Sequence, residues 1–148
     1  MIGLIQRVNE ASVSIQSNII ADIEKGLVVL LGIEKQDTEL EANKLVDKVL
    51  HCRIFDDSKG NLNLDVVAAK GAVLVVPNFT LAADTSKGNR PGFSTAMEPD
   101  KAEFLFNHFL ATMKTKYAEV AAGIFGADMQ VSLINDGPIT ISLKTKNP

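Results

Sequence analysis

Apolar and polar positions alternate at the two ends of this chain, whereas helical periodicity governs two stretches of its middle. Ile2 to Val8 is mostly apolar, Asn9-Glu10 reads as a turn, and Ala11 to Gln16 alternates cleanly. Ser17-Asn18 turns again before Ile19 to Ile23, so the chain is expected to open as antiparallel strands. Gly26 then leads into Leu27-Val28-Val29-Leu30-Leu31, and Ala72 to Val76 is a second run with no polar residue. A strand apolar on both faces belongs in the middle of a sheet. Between these runs Ala42, Leu45, Val46, Val49 and Leu50 recur at helical spacing, behind Thr38 and Glu41 spaced as a capping box. Ile54-Phe55 and the alternating Leu62 and Leu64 flank a turn at Asp57-Ser58-Lys59-Gly60. Pro99 opens a second helix expected to run to about Val120, its buried face formed by Ala102, Leu105, Phe106, Phe109, Leu110, Met113 and Tyr117.

Strand-like alternation returns at Met129, Val131 and Leu133, and again at Ile139, Ile141 and Leu143. The link between them, Asn135-Asp136-Gly137-Pro138-Ile139-Thr140, has two readings. As a plain turn it closes a final hairpin, to which Gly123 and Gly126 lead. Gly137 can also take dihedrals closed to other residues, and a Gly-Pro bond admits the cis form at only about 0.5–1 kcal/mol. The pair could therefore present two rigid carbonyls in one direction. Pro77 cannot donate to a ladder, so its strand must break, bulge or lie at an edge there. The long polar loop Ala82 to Met97 carries Gly88-Asn89-Arg90-Pro91-Gly92, and loops of this length in a compact domain are often functional.

Composition narrows the field. The 148 residues fit one domain, 1–148, long enough to bury a core without staples. A net charge of −3 argues against coating long duplexes, DNA included, yet leaves room for gripping a short single-stranded RNA end. Cys52 is the one cysteine, which excludes an internal disulfide, and it reads as a small buried hydrophobe. Arg7 and Glu10 interrupt any apolar leader, and Gly26 to Ile33 is too short to span a bilayer, so a cytoplasmic location without a membrane partner is expected. His51 sits at a helix end, where the dipole favours a cation, and His108 lies off its helix's apolar stripe. Neither is spaced with Cys52 or with carboxylates as a metal site requires. There is no Gly-x-Ser-x-Gly elbow, no triad histidine in a suitable loop and no Gly-rich phosphate loop. An enzyme built from these residues needs little side-chain acid–base help, and neither metal nor cofactor is expected. Arg7, with its planar five-donor fork, is either a surface charge or a brace.

Several short stretches carry a resemblance when their order and spacing are considered together. They are Ile5-Gln6-Arg7-Val8, Ala11-Ser12-Val13, Arg53-Ile54-Phe55, Phe79-Thr80-Leu81-Ala82-Ala83-Asp84-Thr85, Gly88-x-Arg90-Pro91, Ala127 to Leu133 and Asn135-Asp136-Gly137-Pro138. Over essentially its whole length the chain resembles the D-aminoacyl-tRNA deacylases. The resemblance implies a single mixed α/β domain of largely antiparallel sheets, barrel-like in α/β/β layers, with two main helices. It also implies a homodimer that hydrolyses the ester between a D-amino acid and the 3′ end of tRNA, and that accepts glycine mischarged on tRNA-Ala. By the same resemblance Gly137 and Pro138, joined by a cis bond, reach into the partner subunit's pocket, and Arg7 braces their carbonyls. Thr80 and the backbone N–H groups around Phe79 would receive the ester, with Asn78, Arg90 and Pro91 shaping the pocket or contacting the tRNA end. A Thr80 nucleophile needs an adjacent base, and none is evident. The other route uses the adenosine 2′-hydroxyl for proton transfer, with backbone donors for the oxyanion.

One departure stands out. Pro77-Asn78 replaces the Ser-Gln usual in that family, leaving Asn78 one methylene shorter than the glutamine. Pro77 also resembles a related group that removes L-alanine from tRNA and has a trans Gly-Pro bond. That activity, and a catalytically silent RNA-end-binding dimer, are the alternatives.

Overall fold

The computed structural model describes residues 1–146. Its backbone is set by one long strand, β1 (Ile2–Ile15), which pairs along both edges. On one edge β3 (Gly26–Gly32) takes its first half and β2 (Asn18–Ile23) its second, both antiparallel. The whole opposite edge is taken by β8 (Gln130–Lys144). Beyond β3 the sheet continues in parallel through β6 (Ala72–Pro77) to β7 (Val120–Ala122), giving six strands in all. A separate antiparallel pair joins β4 (Phe55–Asp56) to β5 (Leu62–Leu64). Among the described residues β3–β6 and β6–β7 pair in parallel and the other four pairings are antiparallel, so the sheets are largely antiparallel as expected.

The two apolar runs are central strands with both faces covered. Leu27, Val29, Leu31, Val73 and Val75 face the helices α1 (Glu39–His51) and α2 (Pro99–Lys116), packing with Leu45, Val49, Phe106, Phe109 and Met113. Their neighbours Val28, Leu74 and Val76 turn the other way, onto Val8, Ala11, Val13 and Ile23. That second cluster exists because the sheet curls into a nearly closed barrel. The second β layer is thus the curled continuation of the first.

Four local expectations change. Asn9-Glu10 is no turn: Val8 pairs with Asn135 and Glu10 with Ile134, so Asn9 is one extra residue bulged within a continuous β1. The bulge moves β1 from β3 to β2 as partner. Helix α2 ends at Lys116, short of Val120; Tyr117 leaves it as an extended cap whose hydroxyl donates to the Gly71 carbonyl. Val120–Ala122 then adds a strand beside β6. The final segment is no hairpin, because both halves of β8 pair with β1 and not with each other.

The capping box forms as its spacing predicts. Glu41 is fully buried, and its Oε2 accepts from the Thr38 N–H at 2.7 Å and from the Thr38 hydroxyl. Nearby, the Met1 ammonium is buried against Asp37 Oδ1 (2.6 Å), the Thr145 carbonyl (2.9 Å) and Glu34 Oε2 (3.3 Å), which ties the start of β1 to the approach of α1. The Thr38 hydroxyl foremost holds the Glu41 carboxyl below its ordinary value of 4.5, against the opposing effect of burial. A carboxyl depressed on folding adds stability above its unfolded pKa, and that stability is lost as pH falls through the folded one. Thr38→Ala should therefore cost about 1–2 kcal/mol near neutral pH, and the gap from the parent should narrow below about pH 4.5. Urea unfolding of both proteins at neutral and acid pH checks this; a gap independent of pH would contradict the carboxylate's part in it.

Candidate functional site

The break in β8 lies opposite a single residue. Gln6 pairs with Thr140 and Val8 with Asn135, so Asp136, Gly137, Pro138 and Ile139 all fall across from Arg7. With β1 hydrogen-bonded on both sides, the extra residues can only bulge outward. Asn135 spans the bulge with its side chain: Oδ1 accepts from the Ile139 N–H at 2.7 Å, and Nδ2 donates to the Ile139 carbonyl (3.2 Å) and Thr140 Oγ1 (3.0 Å). Gly137 has φ +140°, and a Cβ there would lie 2.9 Å from both the nitrogen and Cγ1 of Ile139. Its bond to Pro138 is cis, and both residues are exposed.

Arg7 is only 8% exposed, so it is not a surface charge. Its Nε donates to the Asp136 carbonyl and its Nη1 to the Ile54 carbonyl, each at 3.0 Å. The Asp136 and Asp56 carboxylates stand 3.4 and 3.6 Å from the same guanidinium. The fork thus holds the carbonyl just before the Gly-Pro pair and fastens the bulge to β4. Asn135 and the Ile54 carbonyl were not among the expected site residues. The carbonyl leaves no mark in a sequence, but an Asn opening a Gly-Pro bulge is a legible signal.

The other expected residues gather at the far end of the sheet. Pro77 is the last residue of β6, and the Asn78 N–H donates to the Leu31 carbonyl at 2.8 Å. A 3-10 turn over Phe79–Ala82 follows, lying so close to β3 that a Cβ on Gly32 would meet Leu81 Cβ at 2.7 Å. Thr80 is exposed, and its hydroxyl donates to Asn78 Oδ1 at 2.6 Å. Phe79 is 63% exposed with its ring against Phe93, centroids 5.2 Å apart. Asp84 and Gly92 exchange backbone hydrogen bonds of 2.7 and 2.9 Å, closing a loop that carries Arg90 and Pro91, both exposed. The Ser86 hydroxyl and N–H hold the Asp84 carboxyl below its ordinary value, which fixes the neck of that loop.

These two regions are distinct within one chain. Arg7 pairs with Leu27, and Asn78 bonds to Leu31, four residues further along β3. That is about 13 Å along the strand direction, and the bulge lies beyond β1 besides. Among the described residues the partner that accepts from the Thr80 hydroxyl is an amide oxygen, not a base. His51 Nδ1 donates to the Asp47 carbonyl, and His108 Nε2 bonds Asn43 Oδ1, both on helices. Cys52 is half-buried, and burial pushes its thiol pKa up, so it is no thiolate nucleophile at neutral pH. Among the described residues no three of His, Cys, Asp and Glu cluster as metal ligands. What these regions offer is main chain: N–H groups at the 3-10 turn, and carbonyls on a rigid bulge.

Comparison with known proteins gives a consistent result. The family model for D-Tyr-tRNA(Tyr) deacylase matches residues 4–144. A protein of Cellvibrio japonicus (strain Ueda107) named D-aminoacyl-tRNA deacylase is 49% identical over 144 residues, which cover 97% of this chain and 99% of the relative. One of the same name from Klebsiella pneumoniae (strain 342) is 51% identical with the same coverage. Among solved structures, one described as c-Myc DNA Unwinding Element Binding Protein superposes with TM-score 0.95 at 39% identity, covering 99% of this chain and 100% of that one. Another, described as a probable eukaryotic D-amino acid tRNA deacylase, gives TM-score 0.82 at 15% identity over 96% and 97%, a likeness of fold.

The Arg7 geometry can be tested by stability alone. Arg7→Lys replaces two separated guanidinium nitrogens by one ammonium, whose three donors leave a single point that does not span both carbonyls, at a cost of about 1–3 kcal/mol. Arg7→Ala, which strands both carbonyls, should cost more. Urea midpoints measure both, and an alanine variant within about 0.5 kcal/mol of the parent would show that the fork does not hold the bulge.

Proposed function

This chain belongs to the D-Tyr-tRNA(Tyr) deacylase family, and we propose that it hydrolyses the ester of D-aminoacyl-tRNA, releasing free D-amino acid and tRNA. The observation that carries this reading is the family match across residues 4–144, which contain both regions described above. The 3-10 turn receives the ester, with the N–H groups around Phe79 and Thr80 as donors to the developing oxyanion. Proton transfer falls to the adenosine's own 2′-hydroxyl, a division consistent with an amide as Thr80's partner. Asn78, Arg90 and Pro91 line the approach of the tRNA 3′ end. A net charge of −3 and the exposed Phe79–Phe93 pair suit a short unpaired RNA end better than a duplex.

Selection by handedness is assigned to Gly137 and Pro138, whose carbonyls take up the substrate ammonium and leave no volume for an L side chain. Rejection by clash discriminates sharply, and glycine, lacking the clashing group, passes, including glycine mischarged on tRNA-Ala. The bulge lies about 13 Å from Asn78 along the strand direction and on the far side of β1, so on this reading the selector acts in the pocket of a second copy. The working unit is then a homodimer. Exposed Ile134 on β8 and Ile19 on β2 offer apolar surface for that pairing. Among the described residues no helix is long and apolar enough to cross a membrane, and the place of action we propose is the cytoplasm, where charged tRNA is used.

Two measurements test this reading. In paired assays D-tyrosyl-tRNA should be hydrolysed and L-alanyl-tRNA spared; faster loss of the L-alanyl ester would overturn the stereochemistry and favour the reading that Pro77 suggests. Thr80→Val should keep turnover within about tenfold of the parent, the scale of one lost hydrogen bond, whereas loss of a nucleophile costs several orders of magnitude.

A further inference from the structure

The contact between Asn78 and Thr80 has a polarity that goes beyond the deacylase reading while resting on it. Asn78 is held at both backbone groups: its N–H donates to the Leu31 carbonyl at 2.8 Å, and its own carbonyl accepts from the Leu81 N–H at 3.3 Å. Its side chain therefore leaves a fixed point at the end of β6. From there the short amide closes onto the residue two positions on, Thr80 Oγ1 donating to Asn78 Oδ1 at 2.6 Å. A threonine hydroxyl has one proton and two lone pairs. With the proton spent on Asn78, Thr80 can offer an incoming molecule only lone pairs.

We propose that Asn78 is a positioning residue that turns Thr80 into an obligate acceptor, so that Thr80 binds a hydrogen-bond donor of the aminoacyl-adenosine end. Two groups of that substrate can donate, the ribose 2′-hydroxyl and the α-ammonium. The same geometry denies Thr80 a nucleophile's role, because an amide oxygen takes a hydrogen bond without taking the proton. Reach matters as well as chemistry. One further methylene at position 78 adds a torsion, so a glutamine amide is not confined to this short closure onto Thr80 Oγ1. The Asn78→Gln exchange therefore alters the site although it conserves the functional group.

The test is a double-mutant cycle on D-tyrosyl-tRNA with Asn78→Ala, Thr80→Val, the double variant and Thr80→Ser. Each of the first two should lower kcat by about two- to tenfold at unchanged melting temperature. The double variant should be no worse than either, since both remove one oriented acceptor. Thr80→Ser, which keeps the hydroxyl, should stay near the parent. Penalties that multiply to about a hundredfold, or full activity in Asn78→Ala, would overturn the coupling alone. A parent that hydrolyses no D-aminoacyl ester would overturn the deacylase reading and this inference together. Binding of amide-linked D-tyrosyl-adenosine and of its 2′-deoxy form locates the donor. Asn78→Ala weakening only the first assigns it to the ribose, weakening both alike assigns it to the ammonium, and weakening neither overturns the proposal.

Discussion

The structure depends on β1 being paired along both edges for nearly its whole length. A strand so enclosed has no freedom to absorb an irregularity, so any extra residue must be expelled by the strand that carries it. The Asn9 bulge in β1 hands its partner over from β3 to β2 and lets the sheet curl. The four residues opposite Arg7 are pushed outward from β8 as a fixed projection. Both irregularities fall within three residues of each other on β1, from Arg7 to Asn9. The bend and the projection therefore lie side by side on β1.

That projection is held by polar groups rather than by packing. A guanidinium below one-tenth exposure needs partners, and here two main-chain carbonyls accept hydrogen bonds from it while two carboxylates flank it at ion-pair distance. Asn135 replaces the missing ladder partners on the outer side. A bulge tied at Asp136 by Arg7 and at Ile139 by Asn135 leaves only Gly137 and Pro138 untied, and these lack, respectively, a Cβ and an N–H. The exposed tip of the bulge is thus reduced to main chain and a proline ring.

Periodicity made much of the fold legible. The capping box at Thr38, the stripe from Ala42 to Leu50 and the central strands at Leu27 and Val73 appear where their spacing placed them. The errors share a cause, which is that local pattern does not name the partner. Two alternating segments joined by a turn-like link read equally as a hairpin or as one interrupted strand, and only the long β1 decides for the latter. Asn9-Glu10 has turn composition but sits in a continuous ladder. Val120–Ala122 is too short to show a period of its own against the helix before it. At the site, the burial of Arg7 was hidden because its partners are carbonyls of Ile54 and Asp136, which any residue supplies. Cys52 proved half-buried rather than buried.

On the function proposed above, a site made mostly of main chain accounts for the lack of the usual catalytic signatures in this sequence. Backbone donors and acceptors carry no pKa to tune, so precision must come from how rigidly the chain is held. Pro77 contributes to that rigidity at the other end. It cannot extend the ladder, so β6 stops, and the next N–H, that of Asn78, turns back to Leu31 and starts the 3-10 turn. Gly32 then admits Leu81 against β3, closer than any side chain would allow. Asn78 and Thr80 therefore sit on backbone held at successive points, at Leu31, Leu81 and Ala83. Pro77 and Asn78 together thus set a short reach to Thr80 from backbone held at successive points.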